Sequence, residues 1–275
     1  MQGRRRAQIF IRYAIFAGCY FLTMFPVTVL HDILLKFRRL ASTLAGFMPG
    51  ACALCASTGT YTVCPACRAQ FFVETGVRCR CCALPLSTPE KGSEVCRACQ
   101  ANPPAFDATV VASDYAAPVD QLVLKLKFGA GLPLAPVFAD LILEALLRRA
   151  APDLPLPDCL TAVPLGQGRL RERGFNQSLE IAKPLSVALG VPLASRMLAR
   201  ARETVAQSRL SSSERQRNLR GAFTLLPQTI ASVRGAHIGV VDDVMTTGET
   251  LNEVAATLKF FGAVRVTNLV FARTL

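Results

Sequence analysis

The chain has 275 residues, 51% of them apolar and 18% charged. That is enough apolar content to bury a sizeable core and too little charge for long disorder. Lys and Arg number 31 against 19 Asp and Glu, for a net charge of +12, and 11 Cys stand beside only two His. So few His exclude a His-rich metal site and leave little room for a Ser-His-Asp hydrolase. No G-x-x-x-x-G-K-[ST] run occurs, which excludes a P-loop nucleotide hydrolase.

The N-terminus is basic and then apolar. Arg4, Arg5 and Arg6 precede an uncharged run from Tyr13 to Leu30. Such a run resembles a signal peptide or a marginal membrane helix. Pro26 interrupts it, and Lys36, Arg38 and Arg39 make the far flank basic as well, so charge gives no orientation. The residues leave three readings: an anchor on the inner face of a membrane, an apolar helix covering part of the body, or a true start at Met24 with residues 1–23 untranslated.

Nine of the 11 Cys fall between Cys52 and Cys99. Eight form four C-x-x-C pairs: Cys52 and Cys55, Cys64 and Cys67, Cys79 and Cys82, Cys96 and Cys99. A C-x-x-C turn brings two thiolates to one ion, and two turns complete the tetrahedral sulfur shell that suits Zn2+. A disulfide framework needs an oxidising compartment, for which nothing else in the chain argues. Sequential pairing is the simplest scheme and interleaved pairing stays open. Cys81 is surplus and stands beside Cys82 inside a turn. Arg68, Arg78, Arg80, Lys91 and Arg97 are nearly balanced by Glu74, Glu90 and Glu94, which favours a scaffold over a phosphate-binding face.

After Pro103 and Pro104 the texture changes. Ala108–Ala112 reads as a strand. Apolar residues at 119, 122, 123 and 126 read as a helix over Val119–Phe128, and Leu134–Arg149 as a second. Cys159–Leu165 is a short buried strand. A helix is expected over Phe175–Leu189, with Asn176 available as its cap and Pro184 awkward inside it. Ile238–Val244 reads as a strand, Thr250–Phe261 as a helix and Val264–Phe271 as a strand. The alternation predicts an α/β fold, a parallel sheet covered by helices.

The strand before Asp242 delivers two adjacent carboxylates, Asp242 and Asp243, to its C-terminal end, where ligands sit in open α/β sheets. Met245, Thr246, Thr247, Gly248, Glu249 and Thr250 then form a small hydroxyl-rich loop at a helix N-terminus, a ready anion site. Two acids beside a phosphate cradle suit a sugar phosphate, with the acids on the ribose hydroxyls.

The run VVDDVMTTGET, Val240 to Thr250, resembles the phosphoribosyl-pyrophosphate (PRPP) signature of type I phosphoribosyltransferases. With the cysteine knuckles, Lys125 to Gly129, Val163-Pro164-Leu165, Arg171 to Gln177 and Arg202 to Phe223, the chain resembles the ComF family over residues 48–275. The resemblance implies a type I phosphoribosyltransferase-like domain at 105–275 after a double zinc-ribbon module at 48–104, with 1–47 as an N-terminal segment. It also implies a helix near Val29–Leu44, which favours the Met24 start. Mg2+ would accompany PRPP. Gly166, Gln167 and Gly168 are less basic than the family's pyrophosphate loop often is, which leaves that role to Arg169, Arg171 and Arg173.

Residues 196–220 hold seven Arg against two Glu. The resemblance makes this the flexible loop that closes over PRPP, with Arg217 and Arg220 the favoured contacts. A solvated helix face starting near Ser211 is the alternative. His237 reads as a residue at a strand start rather than a catalyst. The family implies a cytoplasmic competence protein, in contact with single-stranded DNA and the uptake helicase machinery. Three roles follow: a phosphoribosyltransferase, a non-enzymatic single-stranded-DNA module, or a PRPP-sensing regulator.

Overall fold

The structure is a computed structural model that describes residues 50–73, 76–86, 94–128, 131–149, 154–201 and 221–275. The expectations for residues 1–47, for the Ser211 helix, and for Arg217 and Arg220 lie outside these residues. Residues 50–275 belong to one compact unit.

The chain enters through a two-residue ladder, β1 (Gly50–Ala51) with β2 (Thr58–Gly59). Two short helices follow, α1 (Pro65–Phe71) and α2 (Arg97–Ala101). Next come β3 (Ala108–Asp114), α3 (Val119–Phe128), α4 (Leu134–Arg149) and β4 (Cys159–Ala162). After these stand α5 (Gln167–Arg173) and α6 (Gln177–Leu189), then β5 (Leu198–Arg200) paired antiparallel with β6 (Phe223–Leu225). The chain closes with α7 (Ile230–Val233), β7 (His237–Met245), α8 (Glu249–Phe260) and β8 (Arg265–Arg273).

The four long strands form one parallel sheet in the order β3-β8-β7-β4. A parallel sheet is covered on both faces, so its strands are apolar on both sides. Six of the seven residues of β3 and eight of the nine in β8 are buried. The strands at β3 and β8 run two residues beyond the sequence expectation, while β4 stops at Ala162, short of the expected Leu165, with Val163 still donating to the Val241 carbonyl at 3.1 Å. Helices α3 and α4 begin and end where apolar spacing placed them.

The core has two halves. Leu126, Phe138, Ile142, Leu146, Ile181 and Leu185 pack with Val241, Leu269 and Phe271 in one. Met197, Phe223, Leu225, Leu251, Val254 and Leu258 pack with Val240, Val266 and Val270 in the other. Phe138 stacks on Phe271 with ring centroids 3.5 Å apart. Burying each such ring contributes about 1.5–3 kcal/mol.

Both exposed edges of the sheet are covered, which removes a template for aggregation. On β3, the Thr109 N–H donates to the Arg80 carbonyl at 3.1 Å. On β4, Leu160 donates to Pro192 at 2.9 Å and accepts from Ala194 at 2.8 Å. The cysteine segment is therefore part of the covering of the body. Cys52 and Cys67 belong to the first half of the core and Cys79 and Cys82 to the second.

Candidate functional site

Two four-cysteine clusters form from sequential pairs. Cys52, Cys55, Cys64 and Cys67 make one and Cys79, Cys82, Cys96 and Cys99 the other, the sulfurs of each lying within 4.8 Å of one another. Both are built alike. A C-x-x-C turn ends in a residue with positive φ, Ala56 at 59° and Ala83 at 59°. The other two ligands then sit at the N-cap and first turn of a short helix, Cys64 and Cys67 at α1, Cys96 and Cys99 at α2. Backbone N–H groups point at sulfur, as Cys64 to Cys52 at 3.4 Å and Cys96 to Cys79 at 3.3 Å.

The donor set fits zinc. Four Zn–S bonds of about 2.3 Å place sulfurs about 3.8 Å apart; Cys55 and Cys64 are 3.7 Å apart, as are Cys82 and Cys96. Burial raises the Cys52 thiol, but N–H groups from Cys55, Cys64 and Leu54 outweigh it and hold it down at about 6. Burial and the neighbouring sulfurs push Cys67 up to about 12. In the second cluster Cys79 is held at about 7, its burial outweighed by backbone N–H groups of Cys82 and Cys96, while burial pushes Cys82 up to about 11. Neither quartet carries four thiolates unaided, and a divalent cation removes that opposition. Cys55 is exposed whereas Cys79 and Cys82 are buried. Chelator at neutral pH therefore strips the first ion at least about tenfold faster than the second. A metal-sensitive dye reads this as a biphasic release whose fast phase Cys55→Ser removes.

The other site is a cavity of about 520 Å³ at the C-terminal end of β7. Asp242, Asp243, Met245, Thr246, Gly248 and Thr250 line it, with Arg169 and Arg173. Thr247, Glu249 and Arg171 are not among its lining residues, and Arg171 is exposed. The segment expected as a pyrophosphate loop contains the helix α5, capped by Gly174 at φ 77°. Gly248 sits at φ 86° as the N-cap of α8, and an added Cβ would lie 2.5 Å from Met245 Cε. The positive φ strains any side chain at this position, and one would also displace the Met245 methyl, so glycine lets the backbone itself line the cavity.

Helix α6 reaches the site through its cap. Asn176 Oδ1 accepts from the Ser178 and Leu179 N–H groups, and its Nδ2 donates to the Val163 carbonyl at 3.0 Å. Ser178 Oγ thereby donates to Asp242 Oδ1 at 2.8 Å. Burial away from water, then the charge of Asp243, push the Asp242 carboxyl up to about 7. Lys127 Nζ lies 3.0 Å from Asp243 Oδ2, within ion-pair range but off hydrogen-bond geometry.

Arg173 lies over the Phe128 ring at 5.3 Å and donates from Nη1 to Gln177 Oε1 at 3.1 Å. Gln177 is 1% exposed. Its Nε2, like Arg173 Nε, has no hydrogen-bond partner among the described residues. Arg173 and Gln177 both line the cavity, although these two nitrogens are themselves occluded.

Sequence reasoning named Lys127 but not as a partner of Asp243, counted Arg200, which lines the cavity, among the arginines of the 196–220 loop, quoted Gln177 only as the end of the Arg171–Gln177 run, and did not single out Ser178. The only local signal was a lysine beside the apolar stripe at the end of α3. His237 is buried, with ring nitrogens 3.2 Å from the Leu156 carbonyl and 2.8 Å from Thr267 Oγ1. It holds the start of β7, far along the strand from the acids.

A parallel sheet with this cavity at its C-terminal end and four-cysteine knuckles along its edge defines a phosphoribosyltransferase-like protein with a zinc-ribbon module. Residues 176–274 match the phosphoribosyl transferase domain and residues 43–100 the double zinc ribbon domain. DNA utilization protein YhgH of Salmonella typhi is 39% identical over 233 residues, 83% of this chain and 99% of that protein. YhgH of Escherichia coli K12 is 37% identical over the same shares. Competence protein F of Haemophilus influenzae is 31% identical over 168 residues, 61% of this chain and 73% of that protein. The chain belongs to the ComF family.

Proposed function

We propose that the cavity binds PRPP with Mg2+ and that the protein transfers the phosphoribosyl group in a pathway of DNA uptake or utilisation. One observation carries this reading. Asp242 and Asp243 meet the Gly248 loop in a single cavity that Lys127, Arg169, Arg173 and Gln177 also line. The acids accept from the ribose hydroxyls. Backbone N–H groups of the 245–250 loop hold the 5-phosphate. Arg169, Arg173 and Gln177 receive the pyrophosphate, and Lys127 moves from Asp243 to the same oxygens.

Among the described residues no cluster of three or more acidic side chains forms. Mg2+ would thus be held mainly by ligand oxygens, as its preference for phosphates and one or two carboxylates allows. When bound it neutralises charge on the leaving pyrophosphate. The chain's own part is to orient the ribose and to hold cations and donors where negative charge develops. Reduced cysteines suit a cytoplasmic location. No helix among the described residues is long and apolar enough to cross a membrane.

Calorimetry of the zinc-loaded protein tests the reading. Mg–PRPP should bind one to one, at least about tenfold more tightly than ribose 5-phosphate or pyrophosphate alone, because each half engages only part of the cavity. No heat from folded, metallated protein would defeat it.

The names of the relatives favour a second reading, a single-stranded-DNA surface on the basic Arg169–Arg171 side. It predicts affinity that falls steeply with salt. Salt-insensitive or absent binding in a fluorescence titration counts against it.

A further inference from the structure

We infer that Arg273 is a positioning residue that ties the second zinc centre to the phosphate loop, so that occupancy of each site strengthens the other. The inference rests on the PRPP reading for its ligand, and on the following geometry for its route.

Arg273 ends β8 and is 5% exposed. Its Nε donates to the carbonyl of Cys82, a ligand of the second cluster, at 3.2 Å. Its Nη1 shares its two protons among the carbonyls of Met245 at 3.2 Å, Thr246, and Thr274 at 2.7 Å, with Thr274 Oγ1 at 3.2 Å. One rigid guanidinium therefore grips a zinc knuckle and the first two peptides of the loop at once. A planar fork suits this role in a way a lysine ammonium does not.

The grip has a direction. In a trans peptide the C=O and the following N–H point opposite ways. The Met245 carbonyl is held by the Thr274 N–H at 3.1 Å as well as by Arg273, and the Thr246 carbonyl by Arg273, which turns the N–H groups of Thr246 and Thr247 away from the guanidinium. Successive N–H groups turned one way form an anion-binding concavity. The strut thus presets the loop for phosphate.

Its charge also needs the zinc side. A buried guanidinium is expensive without nearby negative charge. Four thiolates around one Zn2+ leave a net charge of about −2 beside it. The first cluster packs in the other half of the core; Lys125 Nζ donates to the Ala53 carbonyl inside its knuckle at 2.7 Å, but no single side chain among the described residues joins that knuckle to the 245–250 loop.

Coupling between two sites is reciprocal, and typical values run from about 5- to 150-fold. The test uses the full chain with both ions bound. Competition with a chelator measures the affinity of each ion with and without Mg–PRPP. Mg–PRPP should tighten the second ion about tenfold and leave the first unchanged. In Arg273→Lys, which keeps the charge but not the fork, Mg–PRPP should bind more weakly and the tightening should vanish. Equal tightening of both ions, or undiminished tightening in the variant, overturns the inference.

A second arm needs no ligand, so failure of the PRPP reading does not remove the test. Amide exchange at Thr246–Gly248 should rise at least about tenfold in Arg273→Lys while β7 and the rest of β8 keep their protection. Unchanged loop exchange overturns the inference, as does exchange that rises equally throughout the sheet.

Discussion

Asp242→Asn with Asp243→Asn should lose at least about 100-fold in Mg–PRPP affinity, about 2.7 kcal/mol, and yet melt at a higher temperature than the parent. The loss follows from removing two charged acceptors of ribose hydroxyls, each such bond being worth about 1.5–3 kcal/mol. The gain follows from the Asp242 carboxyl, pushed up to about 7 by burial and by Asp243. A folded-state value above the unfolded one means that the folded chain holds its proton longer. Stability is then full below the unfolded value and declines as pH rises towards about 7. The variant has no such decline. It should match the parent near pH 4 and exceed it by about 1–3 kcal/mol at pH 8. Thermal melts at the two pH values, with and without Mg–PRPP, check both halves. A variant that is less stable at pH 8, or that keeps its ligand-induced shift, contradicts the assignment.

Loss of the second zinc ion should destabilise the whole of residues 50–275 rather than the cysteine segment alone. Cys79 and Cys82 pack in the same half of the core as Leu251, Val254 and Val270. The Arg80 carbonyl and the Arg78–Asp114 ion pair at 2.9 Å then tie that knuckle to β3. Structural zinc commonly supplies a folding free energy comparable to a domain's entire stability. Cys79→Ser should therefore lower the single melting transition by about 10–20 °C, corresponding to about 5 kcal/mol at this size. Circular dichroism at helical wavelengths follows the body, since α3, α4, α6 and α8 dominate that signal. A body transition that stays at the parent temperature while the cysteine segment melts separately would contradict the packing argument.

Much of this fold is legible along the chain because its cause is local. Apolar spacing set the bounds of α3 and α4, and buried runs marked β3, β7 and β8 to within two residues. The VVDDVMTTGET run located the acids and the loop because strand, turn and helix start are contiguous there. Asn176 was legible as a cap for the same reason, a side-chain acceptor standing before a helix. Helix α5 was not legible. Gly166 and Gly168 carry weak helix propensity and leave no apolar stripe, although Gln167, Leu170 and the arginines after them favour the helix that Gly166 caps at its start and Gly174 at its end. The Lys127–Asp243 pair and the Arg273–Cys82 bond join residues far apart in the chain, the latter by 191 positions. No periodicity encodes such pairs; the order of strands in the sheet does. The two halves of the cysteine segment likewise read as one module along the chain and pack in different halves of the core.

Diffraction from crystals of the zinc-loaded protein grown with Mg–PRPP tests the central claim most directly. The account predicts ribose hydroxyls within hydrogen-bond distance of Asp242 and Asp243, with the 5-phosphate on N–H groups of the Thr246–Thr250 loop. It also predicts Lys127 drawn off Asp243 towards the pyrophosphate. PRPP bound elsewhere on the protein, or a cavity that stays empty at saturating ligand, would contradict it.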